Sequence, residues 1–330
     1  MQYVTLADED FTYGGVDEIA PSVHRVIAHN PSKFTYRGTG TYIVGSGDDV
    51  AVIDPGPRLD SHRDALSEAL AGRRVRAVLV THCHADHSPL AAWLTEETGA
   101  PTFGFGPHAA ATEGWDVGTL PDDFGRPAEG DHGPDGPSDH EEPKLEEAPD
   151  TDFVPDHLVT TGDTVFESGG LSMTAIHTPG HTSNHLCFTL DDGAHRSLFT
   201  GDHVMGWSTT VVSPPDGDMA DYIESLRLVA GRSDDVAIPT HGAPIPEPSS
   251  YISDLVEHRL ERERQVVDAV RRGLTTIPQM VTDLYAAVWI GLHRPASFSV
   301  LGHIVKLVDD GILGVEGGGP PRLDSVYAAA

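Results

Sequence analysis

Three scarcities bound this chain before any motif is read. It has two cysteines in 330 residues, which cannot build a disulfide framework. It has 21 lysines and arginines against 51 aspartates and glutamates, a formal net charge of -30. That field repels phosphate backbones and anionic lipid, so non-specific nucleic-acid binding is disfavoured. And it lacks any apolar run of the roughly 18 residues that a membrane-spanning helix needs, as well as a charged-then-apolar start of the secretory kind. A soluble, reducing, cytoplasmic setting with no membrane partner is the expectation. What is present is 38% hydrophobic residues, sufficient for a sizeable core and for one large domain plus a small one.

Residues 21–56 read as a β-meander. Val23 to Ala28 alternates, residues 38–44 and 50–53 follow as apolar runs, and Asp54-Pro55-Gly56 ends the last strand. Residues 60–72 have helical spacing with Gly72 as a stop, residues 75–80 form a short buried strand, and 89–98 read as the next helix. Between that strand and that helix lies Thr81-His82-Cys83-His84-Ala85-Asp86-His87, four potential metal ligands within six residues at a strand tip. Segments 122–152 contrast with all this, carrying 12 acidic and two basic residues, many Gly and Pro, and almost no apolar periodicity. Such a stretch cannot bury enough surface to offset its ordering entropy, and it is expected to be a solvated insertion, or else a lid, with His132 and His140 facing solvent.

Regular structure resumes near Val159. A strand over 171–176 runs into His177-Thr178-Pro179-Gly180-His181, where Pro-Gly forces a turn and places His181 at a second strand tip. A hairpin of strands 186–190 and 197–200 delivers Gly201-Asp202-His203, and an amphipathic helix over 219–229 precedes a strand that ends at Pro239-Thr240-His241. The ligand candidates thus fall at four separate strand ends.

Neutral imidazole and carboxylate suit a borderline divalent ion, and a catalytic site needs ligands while keeping room for water. His82 and His84, two apart on extended backbone, can face one way with Cys83 turned aside as a small packed thiol; Cys187 lies mid-strand and reads as core. One metal then takes His82, His84 and His181. Asp86 and His87 swing round to a second with His241, and Asp202 can bridge the two. Two ions about 3.5–4 Å apart share a water of lowered pKa and clamp the attacking and leaving oxygens. Asp86 and Asp202 are accordingly the expected catalytic carboxylates. Two zinc ions are the expected cofactor, with iron or manganese as substitutes.

His82-x-His84-x-Asp86-His87 with His181, Asp202 and His241 resembles the full ligand set of the metallo-β-lactamase superfamily, over residues 20–248. The resemblance implies an α/β (α+β) fold, the αββα sandwich, and hydrolysis by a metal-bridging hydroxide. A carboxylate at 202 is similar to the glyoxalase II and ribonuclease Z type of site, whereas true β-lactamases of this fold usually have Cys there or neither. Asn30-Pro31, Gly38-Thr39-Gly40-Thr41-Tyr42, Asp54-Pro55-Gly56 and Gly206-Trp207-Ser208-Thr209-Thr210 look like the β-lactamase-like endoribonuclease branch, although Gly40 stands where that branch commonly has Asn. Trp207, Thr209 and Thr210 are candidates for substrate contact by position after the bridge.

The division expected is a catalytic domain over 1–249 and a second domain over 250–330. Helices over 251–272, from 276, and over 297–309, then a hairpin, make a winged helix, as the resemblance also implies. Residues from 250 onward carry eight Lys/Arg and ten Asp/Glu, and the third helix offers only His303 and Lys306 as donors. That is thin for groove recognition, so duplex DNA is disfavoured and a cleft wall or a homodimer contact is expected instead. Arg259, Arg262, Arg264, Arg271 and Arg272, interleaved with Glu261 and Glu263, read as a solvated or ion-paired face. Two substrate classes stay open: single-stranded RNA phosphodiesters, as the branch implies, and a small-molecule ester, thioester or weakly a β-lactam, which the charge favours. A DNA-binding regulator is the non-enzymatic alternative, and it would require degraded ligands.

Overall fold

In the computed structural model, which describes residues 2–108, 115–128 and 148–330, the meander becomes strands β2 (Val23–Ile27), β3 (Gly40–Val44) and β4 (Asp49–Ile53). A further antiparallel strand, β1 (Val16–Ala20), joins its edge. Helix α1 (Asp60–Ala69) leads to β5 (Arg74–Leu79), parallel to β4; helix α2 (Ala91–Thr98) leads to β6 (Thr102–Gly104), and β7 (His157–Leu158) completes a seven-stranded sheet in chain order. The second sheet holds β8 (Thr164–Ser168), β9 (Leu171–His177), β10 (Leu186–Asp191) and β11 (Arg196–Gly201) as an antiparallel meander. Helix α3 (Met219–Ala230) then carries the chain to β12 (Val236–Pro239), parallel to β11, with β13 (Ile245–Pro246) at the edge.

Side-chain alternation explains the layering. Tyr42, Val44, Ala51 and Ile53 point to one side of the first sheet and meet Met173, Leu186, Phe188, Phe199 and Ile238 of the second. Their neighbours Ile43, Val50, Val52 and Val78 point the other way, onto Leu66 of α1 and Ala91 and Leu94 of α2. Likewise Cys187, Leu198 and Ala237 lie under Tyr222, Ile223 and Leu226 of α3. Strands covered on both faces lose the apolar-polar alternation, which is why β3 is buried at every position. Each such Leu or Phe contributes about 1.5–3 kcal/mol of burial. The result is the expected αββα sandwich.

The C-terminal part comprises α4 (Pro248–Arg271), α5 (Ile277–Leu284), α6 (His293–Asp309) and a two-stranded antiparallel pair, β14 (Leu313–Val315) and β15 (Tyr327–Ala329). Pro at the first turn lets α4 begin at Pro248, and Gln279 closes a capping box on Thr276 to start α5. Helix α4 serves two cores. Its Tyr251, Ile252, Leu255 and Val256 complete the outer layer beside α3, while Val266, Val267 and Val270 pack with α5, α6 and Tyr327.

Two expectations are corrected here. Arg259 is not on a solvated face: it is 3% exposed, and Glu263 is also buried, beside Lys306 at 3.4 Å. Arg264 and Arg271 do pair on the surface, with Glu261 and Asp268. The described ends of the acidic segment 122–152 are also packed against the rest of the chain, not solvated. Leu120 is buried among the C-terminal helices and Arg294 donates to the carbonyls of Pro121 and Phe124. At its other end Ala85 N donates to Ala148 O (2.9 Å), Asp150 N to Cys83 O (2.8 Å) and Ser88 Oγ to Asp150 Oδ2 (2.6 Å). That end is stitched to the His82–His87 loop because the loop's backbone, off the end of β5, needs partners. His132, His140 and the middle of the insertion lie outside the described residues.

Candidate metal centre

All seven predicted ligands converge at one end of the sandwich, where β5, β9, β11 and β12 finish. Rigid strand ends hold the turns, and the turns aim the side chains. The turn before His181 shows how tight this is. Gly180 has φ +132°, and a Cβ there would sit 2.3 Å from the Tyr222 Cα, so only glycine lets α3 press against the turn.

The first cluster is His82, His84 and His181. Thr81 Oγ1 donates to Asp54 Oδ2 (2.8 Å), so it accepts from His82 Nδ1 (3.0 Å). His181 Nδ1 donates to Val211 O (2.7 Å). These partners assign the tautomers and leave His82 Nε2 and His181 Nε2 as bare lone pairs, 3.0 and 3.3 Å from His84 Nδ1. Three nitrogens with at most one hydrogen among them face one point. Burial, and then the neighbouring imidazoles, lowers the pKa of His82 well below the usual value and that of His84 to about 3, so the cluster is neutral.

The second cluster is Asp86, His87 and His241. His87 Nδ1 donates to Asp54 Oδ2 (2.9 Å) and His241 Nδ1 to Gly38 O (3.1 Å), which turns both Nε2 atoms inward. They lie 3.4 and 3.3 Å from Asp86 Oδ2 and 3.5 and 3.4 Å from Asp202 Oδ1. The other Asp202 oxygen is 3.9 Å from His181 Nε2, so this carboxylate reaches both clusters. His87 Nε2 and Asp202 Oδ1 are buried with no hydrogen-bond partner among the described residues. Orphaned buried polar atoms are costly. The donor set, nitrogen and carboxylate oxygen converging from several sides, fits divalent cations. Burial alone would lower the His87 and His241 pKa values, but Asp86 and Asp202 outweigh it, lifting His241 to about 10 and His87 well above the usual value.

Asp54 was legible only as the end of β4, yet it anchors the centre. One carboxylate accepts from Thr81 N (2.8 Å), Thr81 Oγ1, His87 Nδ1 and Thr240 Oγ1 (3.1 Å), tying three strand ends together. Its φ of +47° in an aspartate marks a strained turn held for position. Asn30 holds Thr39, whose hydroxyl donates to Asp86 Oδ2 (2.9 Å). Gly40 is explained as well: its N–H donates to Thr240 O, and a Cβ would lie 3.0 Å from that oxygen. Cys83 and Cys187 are buried thiols pushed up to about 12 by burial, inert as expected.

The centre opens into a cleft lined by Phe34, Met205, Trp207, Thr209, Thr210 and Val211 among others. Trp207 stacks on Tyr36 (centroids 4.8 Å apart, 12° between planes), and Thr209 lies beside it on the wall. Thr210 is buried, with its hydroxyl 3.3 Å from His181 Nδ1, so it supports a ligand as well as lining the cleft.

The model of the metallo-beta-lactamase superfamily matches residues 36–241. An atrochrysone carboxyl ACP thioesterase of Aspergillus chevalieri is 30% identical over 283 residues, covering 83% of this chain and 76% of the relative. A lactamase-like protein of Pestalotiopsis fici is 29% identical over 282 residues, covering 82% and 74%. Two crystal structures share the fold at 22% identity: a beta-lactamase domain protein from Burkholderia ambifaria (TM-score 0.72, 99% of this chain and 97% of that one) and a metallo-beta-lactamase family protein from Thermus thermophilus (TM-score 0.65, 95% and 100%). The expected endoribonuclease branch is corrected by these relatives, whose names are those of fungal lactamase-like proteins and thioesterases. The short loops at Gly38–Tyr42 and Gly206–Thr210 that suggested it serve the metal centre here: Thr39 donates to Asp86, Gly38 O accepts from His241, and the Thr210 hydroxyl lies 3.3 Å from His181 Nδ1. By its ligand order, its αββα layers and the matched span, the chain belongs to the metallo-β-lactamase superfamily.

Proposed function

We propose that this chain is a dinuclear metal-dependent hydrolase whose substrates are small-molecule thioesters. The observation that carries the reading is Asp202, one buried carboxylate whose two oxygens face the two ligand clusters. When bound, the metals supply a water made acidic enough to attack an acyl carbon near neutral pH. The chain's own residues do the rest. Thr39 and Asp54 hold Asp86 and His87, the backbone at Gly38 and Val211 holds His241 and His181, and Phe34, Met205 and Trp207 give an acyl group an apolar wall. Imidazole and carboxylate donors favour zinc, with iron or manganese as substitutes. Similarity to a thioesterase supports the substrate class.

RNA fits less well. Apart from histidine, Lys33 is the one basic residue among the described residues lining the cleft, whereas tracking a nucleic-acid strand needs several phosphate contacts. The C-terminal part, proposed as a winged-helix-like unit beginning near residue 250, fits a structural role: His303 is buried, and Lys306 is engaged by Glu263 and Asp310 (2.7 Å). The metal-loaded protein should be offered an acyl-pantetheine thioester, single-stranded RNA, a bis-aryl phosphodiester and a β-lactam, with a duplex-DNA gel shift alongside. Thioester turnover well above the others and no DNA shift is the expected result. RNA cleavage at the greater rate, or a specific shift, would overturn it.

A further inference from the structure

Segment 203–211, which follows Asp202 and forms the cleft wall, is held by its carbonyl oxygens from the helices behind it. Tyr222 on α3 donates to His203 O (2.9 Å), and Tyr251 on α4 to Met205 O and Gly206 O (2.9 and 3.0 Å). About two turns further along α4, Arg259 donates through a terminal nitrogen to Thr210 O at 2.6 Å. Its guanidinium carbon lies 5.1 Å from the Tyr222 ring centroid, a stacked contact that helps a buried cation tolerate its desolvation. The carbonyl it holds belongs to the residue whose hydroxyl lies 3.3 Å from His181 Nδ1, and the next carbonyl, Val211 O, accepts from that same nitrogen at 2.7 Å. None of the groups that orient His82, His87 or His241 is bonded to Arg259: those are Thr81, Asp54 and Gly38.

We infer that Arg259 is a positioning residue for the metal centre, fixing the Thr210–Val211 backbone that orients His181, so that helix α4 sets the metal affinity of one ligand cluster and not of the other. The inference rests on the metal-centre reading but not on the substrate, and it is tested by metal binding alone. Chelator-buffered zinc titration of Arg259→Met, with His241→Ala and His181→Ala as backgrounds that isolate the first and second clusters, separates the two affinities. Removing a partner that orients a ligand weakens binding by about 10–100-fold. The expected result is a loss of about tenfold or more at the His82, His84 and His181 cluster, persisting in the His241→Ala background and vanishing in the His181→Ala background. Arg259→Lys, which keeps a cationic donor on a shorter reach, should fall between wild type and Arg259→Met. If Arg259→Met does not fold, Arg259→Lys alone decides, with a selective loss of a few-fold expected at the first cluster. Unchanged affinity there, or equal weakening of both clusters, overturns the inference. Zinc binding as described with no thioester turnover would instead count against the proposed substrate and leave Arg259's role standing.

Discussion

The two ligand clusters meet at Asp202 and are opposite in kind. His82, His84 and His181 are imidazoles made neutral by burial, already bare lone pairs at neutral pH. Asp86, His87 and His241 are a buried ion cluster, in which Asp86, Asp202 and Asp54 hold protons on the two histidines. Burial works against the charge of Asp86 and Asp202, but His87 and His241 outweigh it and keep both carboxylates ionised, well below the usual range. Burial therefore accompanies a ready acceptor in one place, where His84 is only partly buried, and a proton-filled site in the other. What decides between them is the number of carboxylates within about 4 Å.

The sharpest way to break this contrast is to remove what the clusters share. Asp202→Ala takes away the oxygens facing His87, His241 and His181 together, and turnover should fall by about three orders of magnitude or more, as when a group acting in the transition state is lost. Metal content should be measured on the same sample. A variant retaining both ions and undiminished rate would sink the role given to Asp202.

Next in size is the pH dependence. In the metal-free protein His241 binds its proton up to about pH 10, above the value of a free imidazole. The stabilisation this brings is complete below about pH 6.5 and fades as pH rises towards 10. A metal must displace that proton, so affinity at the second cluster should rise with pH, about tenfold per unit for each proton released. The first cluster, neutral already, releases none above about pH 6.5. Zinc titrations from about pH 6.5 to 8.5 should show one binding step that moves and one that stays. Two steps moving together would erase the distinction.

How far the sequence carried this picture depends on the range of each interaction. His82, His84, Asp86 and His87 were legible because local spacing at a strand tip is enough to aim them, and the apolar runs of β3, β5 and β10 announced buried strands. Asp54 was not legible as an anchor, since its partners Thr81 and Thr240 come from 27 and 186 residues away. Arg259 was misplaced for a related reason. On α4 it shares a charged pattern with Arg264 and Arg271, and only the packing of α3 against α4 separates a buried guanidinium from surface ion pairs. Residues 148–152 failed in the same way: composition marks them as solvated, while their backbone is bonded to the ligand loop.

The smallest expected effect lies at Trp207, which stands on the cleft wall and touches neither cluster's orienting hydrogen bonds. Its ring stacks on Tyr36 and covers Gly242, where a Cβ would already lie 3.1 Å from Trp207 Cδ1. Its indole nitrogen is buried without a hydrogen-bond partner among the described residues. Trp207→Ala should raise KM for a thioester by roughly three- to tenfold, the scale of about 1 kcal/mol of lost apolar contact, with kcat and both metal affinities within about twofold. Trp207→Phe then separates the two things the ring offers. If an aromatic face is what the acyl group meets, Phe restores KM; if the full breadth of the indole is needed to close the wall, Phe is as poor as Ala. A fall in metal affinity in either variant would show that the wall and the second cluster are mechanically one unit through Gly242, and the independence argued for the two clusters would have to be given up on that side of the cleft.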